Sequence, residues 1–315
     1  MFMDEPTSEA GGLATQAVAV EDVTKRYTRR VALEKLSLSV RAGEVFGLVG
    51  ANGGGKTTAL RILAGILRPE QGHGQVLGFD LLRGTREIRQ HVGYMSQRFS
   101  LYRDLSVFEN LRFRAKVYGL ERPRVAAEAA IYDFGLCERA SSAAGQLSGG
   151  WARRLQLAAA LIHSPRLILL DEPTAGLDAV CRPEVWRRID RLAIQGASVV
   201  VSTHDLAEAE RSTHAAVLSE GRVVAAGTPE QIARCAPATI FLLSGGNARL
   251  LARCVETVPG VIASYPHGSS LRVVVDVRGE EGLRRMASIK HVSIASASMR
   301  LEDAVLAFSA RPSKG

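Results

Sequence analysis

GANGGGKTT, residues 50–58, lies between the apolar run EVFGLV (44–49) and the segment ALRILAG (59–65). Four glycines beside one lysine and two threonines need a physical reason, because glycine adds backbone freedom that folding must remove. A bound phosphate supplies it. Glycines let consecutive N–H groups turn inward as a concave nest for phosphate oxygens, and a helix starting near Lys56 adds the positive end of its dipole. The spacing fits GxxxxGK[ST], with Gly50, Gly55, Lys56 and Thr57 in the defining places and Asn52, Gly53 and Gly54 between them. In this reading Lys56 reaches the β- and γ-phosphates and the Thr57 hydroxyl ligands Mg2+, with Thr58 closing the nest.

RLILLDEPT (166–174) supplies the complement. Its apolar residues describe a buried strand with Asp171 at the C-terminal edge, where α/β folds place ligands. Asp171 would hold Mg2+ through its water shell, and Glu172 would orient and polarise a water for attack on the γ-phosphate. LSGGWARRLQLAAALI (147–162) adds a second glycine-containing helix start at Ser148, Gly149 and Gly150. It is another anion-binding N-terminus, with a serine hydroxyl beside it. Two phosphate nests in one chain imply two nucleotides, or one nucleotide gripped from both sides.

Around these motifs strand-like and helix-like segments alternate. AVAVEDV (17–23) and LEKLSLSV (33–40) read as strands of a front sheet, and QVLGFDL (75–81) and HVGYMSQ (91–97) as further strands. Residues from about 100 to 165 are mainly helical, opened by the Ser-x-x-Glu capping box of SVFE (106–109). RLILL (166–170) and ASVVV (197–201) read as buried parallel strands, and AAVLSEGRVVAAG (215–227) as a hairpin turning near Glu220 and Gly221. After about residue 236 the pattern restarts as βαββαβ, the ferredoxin-like order, with a last short helix in RLEDAVLAF (300–308). The expected organisation is a tail over 1–16 without fixed structure, an α/β unit over 17–236 and a small α+β unit over 237–315.

Composition limits the alternatives. The 315 residues allow one large domain and one small one, and 46% hydrophobic content is enough for a core. The four cysteines form no CxxC pair, which argues against a disulfide framework or a zinc site and for a reducing cytoplasm. The N-terminus lacks the apolar core of a signal peptide, and no apolar run approaches the roughly 18 residues that cross a bilayer. A net charge of +8 suits nucleic acid, an anionic lipid surface or a polyanionic small ligand, and decides among none of them.

Taken in order, GANGGGKTT, LSGGWARRL, LILLDEPTAGLD and VSTHD resemble an ABC-transporter ATPase subunit over about residues 18–236. The resemblance implies a P-loop NTPase with a RecA-like core, an antiparallel front sheet and a helical insertion. It implies a head-to-tail dimer around two ATP, each between Gly50–Thr58 of one copy and Ser148–Gly150 of the other. It further assigns Tyr27 to adenine stacking and Gln97 to a loop that touches Mg2+ and senses the membrane partner. Asp178 falls in the loop that crosses the dimer interface, and His204 would contact the γ-phosphate. Trp151 stands where the family most often has glutamine, which puts the usual ribose contact in doubt, and Gly54 replaces alanine or serine. MSQRFSLYRDLSVFENLRFRAKVYGL (95–120) resembles exporter subunits that pair with a separate ABC-2-type permease, the drug-efflux branch among them. SMRLEDAVLAF (298–308) resembles the ending of that group's C-terminal extension. The resemblance therefore implies an ATP-hydrolysing export subunit on the inner face of the membrane, with no nucleic-acid partner. The competing class is a soluble ABC ATPase of ribosomes or DNA, but those members usually carry two ATPase units or long coiled coils. A non-hydrolysing regulator is the third reading, and Glu172 speaks against it.

Overall fold

The computed structural model describes residues 16–28, 30–179, 181–245, 248–290 and 292–310. The tail expected over 1–16 lies outside these, apart from Gln16. Here the boundary moves: Gln16 pairs with Arg41 and opens the first strand.

The chain begins with β1 (Gln16–Tyr27), β2 (Arg30–Arg41), β3 (Val45–Val49), α1 (Lys56–Leu63), β4 (Gln71–Val76), β5 (Phe79–Asp80), α2 (Thr85–His91) and β6 (Val92–Met95). Helices α3 (Val107–Val117), α4 (Pro123–Asp133) and α5 (Gly149–Leu161) follow. Next come β7 (Leu167–Asp171), α6 (Cys181–Ile194), β8 (Ser198–Thr203), α7 (Leu206–Ala209), β9 (His214–Ser219), β10 (Arg222–Gly227) and α8 (Pro229–Cys235). The front sheet is antiparallel, in the order β2-β1-β4-β5. QVLGFDL is not one strand. Leu77 and Gly78 both take positive φ and break it into the β4–β5 hairpin.

The central sheet has the order β10-β9-β3-β8-β7-β6, parallel except for β10. Every residue of β3, β7 and β8 is buried, as strands covered on both faces require. One face packs with α1 and the front sheet around Leu48, Leu60, Leu63 and Leu169. The other packs with α5, α6 and the helical segment around Leu111, Leu155, Leu170 and Trp186. Ser106 caps α3 with the reciprocal Glu109 contact that the sequence foretells.

Residues 239–309 comprise β11 (Thr239–Ser244), α9 (Ala248–Glu256), β12 (Val261–His267), β13 (Ser270–Val275), α10 (Glu280–Ile289), β14 (Ser293–Ala297) and α11 (Leu301–Ser309). Their sheet is antiparallel in the order β12-β13-β11-β14, the ferredoxin-like topology. Helix α11 packs Leu301, Ala304 and Val305 against Val217 and Ile232 of the larger unit. Its Ala307 packs on Ile240 and Val274 of the small sheet. Among the described residues no helix is long and apolar enough to cross a membrane.

Candidate functional site

Register in the central sheet assembles the site. In the parallel pairing Val49 of β3 lies beside Thr203 of β8, and Ser202 lies beside Asp171 of β7. Gly50, Glu172 and His204 therefore leave three neighbouring strands at the same edge. The turn out of β3 depends on glycine. A Cβ at Gly50 would lie 2.2 Å from the Leu218 carbonyl oxygen, and one at Gly55, where φ is +108°, would lie 2.5 Å from that of Ala32. Gly55 caps α1 without a side-chain bond, which leaves the first-turn amides of the helix available to an anion.

The resulting cleft of about 360 Å³ brings together most of the residues the motifs single out. Tyr27, Asn52, Gly53, Gly55, Lys56, Thr57, Thr58, Gln97 and Glu172 all line it. Tyr27 is 48% exposed at the mouth, so its ring is available to a planar ligand rather than used in packing. Lys56 is buried and donates through Nζ to the carbonyl oxygens of Gly50 at 2.6 Å and Ala51 at 3.0 Å. Burial lowers its pKa, while the neighbouring Glu172 and Asp171 carboxylates oppose that shift. Its charge is thus held by the loop itself.

Glu172 is the hub. Its backbone is left-handed, with φ +50°, a conformation that a side chain other than glycine seldom adopts and that clusters at functional sites. The Glu172 N–H donates to the carbonyl and to the hydroxyl of Ser202, both at 3.1 Å, which fixes the turn. The carboxylate accepts from Gln97 Nε2 at 3.0 Å, and it lies 3.1 Å from His204 Nδ1 and 3.9 Å from Lys56 Nζ. Three residues named from separate motifs meet on the carboxylate of a fourth.

Asp171 lies beneath, 1% exposed. Ser202 Oγ donates to its Oδ1 at 2.6 Å, whereas Oδ2 is buried with no hydrogen-bond partner among the described residues. A buried carboxylate oxygen without a donor is costly unless a cation or its water completes it. With the Thr57 hydroxyl and the Gln97 amide, the donor set is all oxygen. It suits a hard cation such as Mg2+, which is held by one or two carboxylates together with substrate phosphates.

The second nest stands apart. Ser148 caps α5 without spending its side chain on the helix. It lines a cavity of about 250 Å³ with Arg139, Gln146 and Trp151, and this cavity shares no lining residue with the cleft of Lys56. Gly149, Gly150 and Asp178 also lie outside that cleft's lining. Asp178 Oδ1 accepts the Cys181 N–H at 2.8 Å at the start of α6. Trp151 packs its ring under the guanidinium of Arg154, 4.8 Å away, and faces Arg139 at 6.0 Å.

Three contributors escape a motif-based reading. Ser202 positions Asp171, the last residue of β7, and Glu172 just after it. Arg153 is half-buried and donates to the Ser96 carbonyl at 3.3 Å, to Gln156 Oε1 at 3.2 Å and to the Ala175 carbonyl at 3.5 Å. It thereby ties α5 to the segments on either side of the hub. Arg30 donates to the Gly53 carbonyl and lines the cleft next to Tyr27. Ser202 and Arg153 sit inside quoted motifs, VSTHD and LSGGWARRL, but the partners that give them meaning are distant in sequence.

Comparison with known proteins agrees with this geometry. A family model described as ABC transporter matches residues 33–175. The chain is 39% identical over 221 residues to the probable multidrug ABC transporter ATP-binding protein YbhF of Escherichia coli (strain K12). That match covers 68% of this chain but only 38% of YbhF, so the chain spans well under half of that relative. It is 38% identical over 223 residues to the Nod factor export ATP-binding protein I of Burkholderia thailandensis, covering 70% of this chain and 73% of that protein. Among solved structures, a dimeric ATP-binding cassette in a post-hydrolysis state with ADP and Pi superposes with a TM-score of 0.63. It is 27% identical, over 67% of this chain and 98% of that one. A P-loop cleft, a paired acid at the end of β7, a histidine after β8 and a separate serine–glycine nest are thus found in a chain with these relatives. It belongs to the family of ABC transporter ATP-binding proteins.

Proposed function

We propose that the chain is the ATP-hydrolysing subunit of an exporter, and that two copies close around two ATP to drive a separate ABC-2-type permease. The observation that carries this reading is the Glu172 carboxylate, which touches Lys56, Gln97 and His204 at the floor of the P-loop cleft. Tyr27 stacks on adenine. The amides of residues 50–58 bind the phosphates, and Lys56 exchanges the Gly50 and Ala51 carbonyls for phosphate oxygens. Thr57, Gln97 and Asp171 would hold Mg2+, whose charge, when bound, neutralises the triphosphate. Glu172 accepts a proton from the attacking water, and His204 fixes the γ-phosphate.

Ser148–Gly150 of a second copy, with its Asp178 at the interface, completes each site. The separation of the two cavities within one chain supports this. Because the closed pair prefers ATP and the open pair does not, binding and hydrolysis alternate two forms that grip a membrane partner differently. The names of the multidrug and Nod-factor relatives support export, and the permease would hold the subunit at the inner face of the membrane. Residues 17–236 serve as the nucleotide-binding unit in this reading and 237–315 as an accessory unit. The test is E172Q with ATP and Mg2+. Light scattering should show a stable dimer and phosphate release should nearly stop; a strictly monomeric variant would contradict the sandwich.

A further inference from the structure

Arg30 stands between the mouth of the nucleotide cleft and its floor. It is the partner of Tyr27 at the last register position of the β1–β2 pairing, so both side chains stand on the same face of that ribbon. Its guanidinium crosses to the phosphate loop and donates to the Gly53 carbonyl. A Cβ on Gly53, where φ is +81°, would lie 3.2 and 3.3 Å from the two terminal nitrogens of Arg30, so the fork is seated against the loop backbone. Lys56 works further in, on the Gly50 and Ala51 carbonyls and 3.9 Å from Glu172.

This charge is not committed to an acid. Among the described residues Arg30 takes part in no ion pair. Glu172 is the one described carboxylate that lines the cleft, and Gln97, His204 and Lys56 already engage it. Lys25, a cation 5.9 Å from the centre of the Tyr27 ring, is paired with Glu70 at 3.3 Å and lies outside the cleft lining. A peptide carbonyl is a modest partner for a guanidinium. An anionic oxygen makes bonds about twice as strong, and phosphate matches the fork with two parallel bonds.

We propose that Arg30 leaves the Gly53 carbonyl when nucleotide binds and pairs with the α-phosphate. The inference rests on the ATP reading above and adds a residue that selects nucleotides by their innermost phosphate. A base on Tyr27 and outer phosphates at Lys56 lay the ribose and the α-phosphate across the position of Arg30. Of those two groups only the phosphate is an anion. Before nucleotide arrives, the same guanidinium is held by the loop carbonyl, so exchange trades a neutral acceptor for a charged one.

The experiment is calorimetric titration of the full chain and its Arg30→Gln variant with ATP, ADP, GTP and pyrophosphate, all without Mg2+. Loss of one charge-assisted pair should weaken ATP and ADP alike, by about tenfold. Pyrophosphate, which needs only the Lys56 end of the cleft, should bind both proteins equally, and this also shows that the loop keeps its shape. The preference for ATP over GTP should be the same in both. Unchanged affinity for ATP and ADP, or a loss for ATP without one for ADP, would overturn the proposal. Weaker pyrophosphate binding would make Arg30 a clamp on the loop, and a changed ratio of ATP to GTP affinity would place it on the base. Either result removes the α-phosphate contact. Failure of the nucleotide reading itself would show separately, as a wild-type chain that binds neither ATP nor ADP.

Discussion

The Nε2 of Gln97 donates to Oε2 of Glu172 at 3.0 Å, across 75 residues of sequence. An amide two residues beyond β6 thus holds one oxygen of the carboxylate proposed to activate water. Moving the Gln97 loop changes what Glu172 can accept, so this bond couples that loop to the carboxylate.

Gln97→Ala removes both that bond and the oxygen proposed to ligand Mg2+. Supporting contacts of this kind are worth about 10–100-fold in metal affinity. The Mg2+ concentration for half-maximal ATP turnover should rise about tenfold or more, while nucleotide binding without Mg2+ stays as in the wild type. Phosphate release across a Mg2+ titration checks this, and an unchanged midpoint would take Gln97 out of the metal role.

Lys56→Ala deletes a buried cation that is held, among the described residues, by two loop carbonyls and by Glu172. Charge-assisted bonds contribute roughly 1.5–3 kcal/mol each, so ATP affinity should drop by at least tenfold to a hundredfold. Titration with a fluorescent ATP analogue measures it, with circular dichroism confirming the fold. Normal affinity would remove the P-loop assignment.

The parts of this architecture that could be read locally are those where local chemistry is unambiguous. GANGGGKTT announces its turn because glycine, lysine and helix start coincide, and LILLD announces a buried strand because four apolar residues run up to its aspartate, and all five are indeed buried. The hairpin at Glu220–Gly221 and helix α10 fall where the pattern puts them. Helix α2 is left unassigned by the sequence pattern because it is seven residues long and buries only Ile88, too little for an amphipathic stripe. The split of QVLGFDL depends on a left-handed Leu77, which no periodicity signals. Within the site, the acids and the lysine are legible from strand and helix ends. Ser202 and Arg153 are not, because their roles consist of contacts with residues up to 57 positions away.

His163 lies under the ring of Tyr118, stacked at 3.6 Å. Burial pushes its pKa down from 6.5 to about 4, a backbone contact at Val92 resists, and the positive neighbours Arg114 and His91 add to the fall. The folded state therefore binds this proton less readily than the unfolded chain. Its contribution to stability is complete above pH 6.5 and is lost as pH falls from 6.5 toward 4. Phe in this position keeps the stack and cannot titrate. Thermal unfolding of His163→Phe should depend less on pH over that window, by roughly 2–3 kcal/mol. Parallel pH profiles for the two proteins would show that the proton goes elsewhere.

The last helix is held by a buried ion pair rather than by apolar packing alone. Arg272 of β13 donates to both carboxylate oxygens of Asp303 on α11 and, through Nη2, to the Ser298 carbonyl at 2.5 Å. Tyr265 Oη donates to the same carboxylate at 2.6 Å. Burial alone would raise the Asp303 pKa, but the bonds from Arg272 and Tyr265 outweigh it and hold the group below its ordinary value of 3.8. A depressed carboxylate stabilises the fold above that value and loses its contribution as pH falls through the folded pKa. Asp303→Asn leaves Arg272, 2% exposed, as an unpaired buried charge, and should cost about 3–5 kcal/mol in denaturant unfolding. The double variant Arg272→Met with Asp303→Leu removes both charges and fills similar volume, so it should unfold near the wild-type midpoint or later. If the single variant is mild, or the double variant is as unstable as the single, the pair is not what fastens α11 to the small sheet.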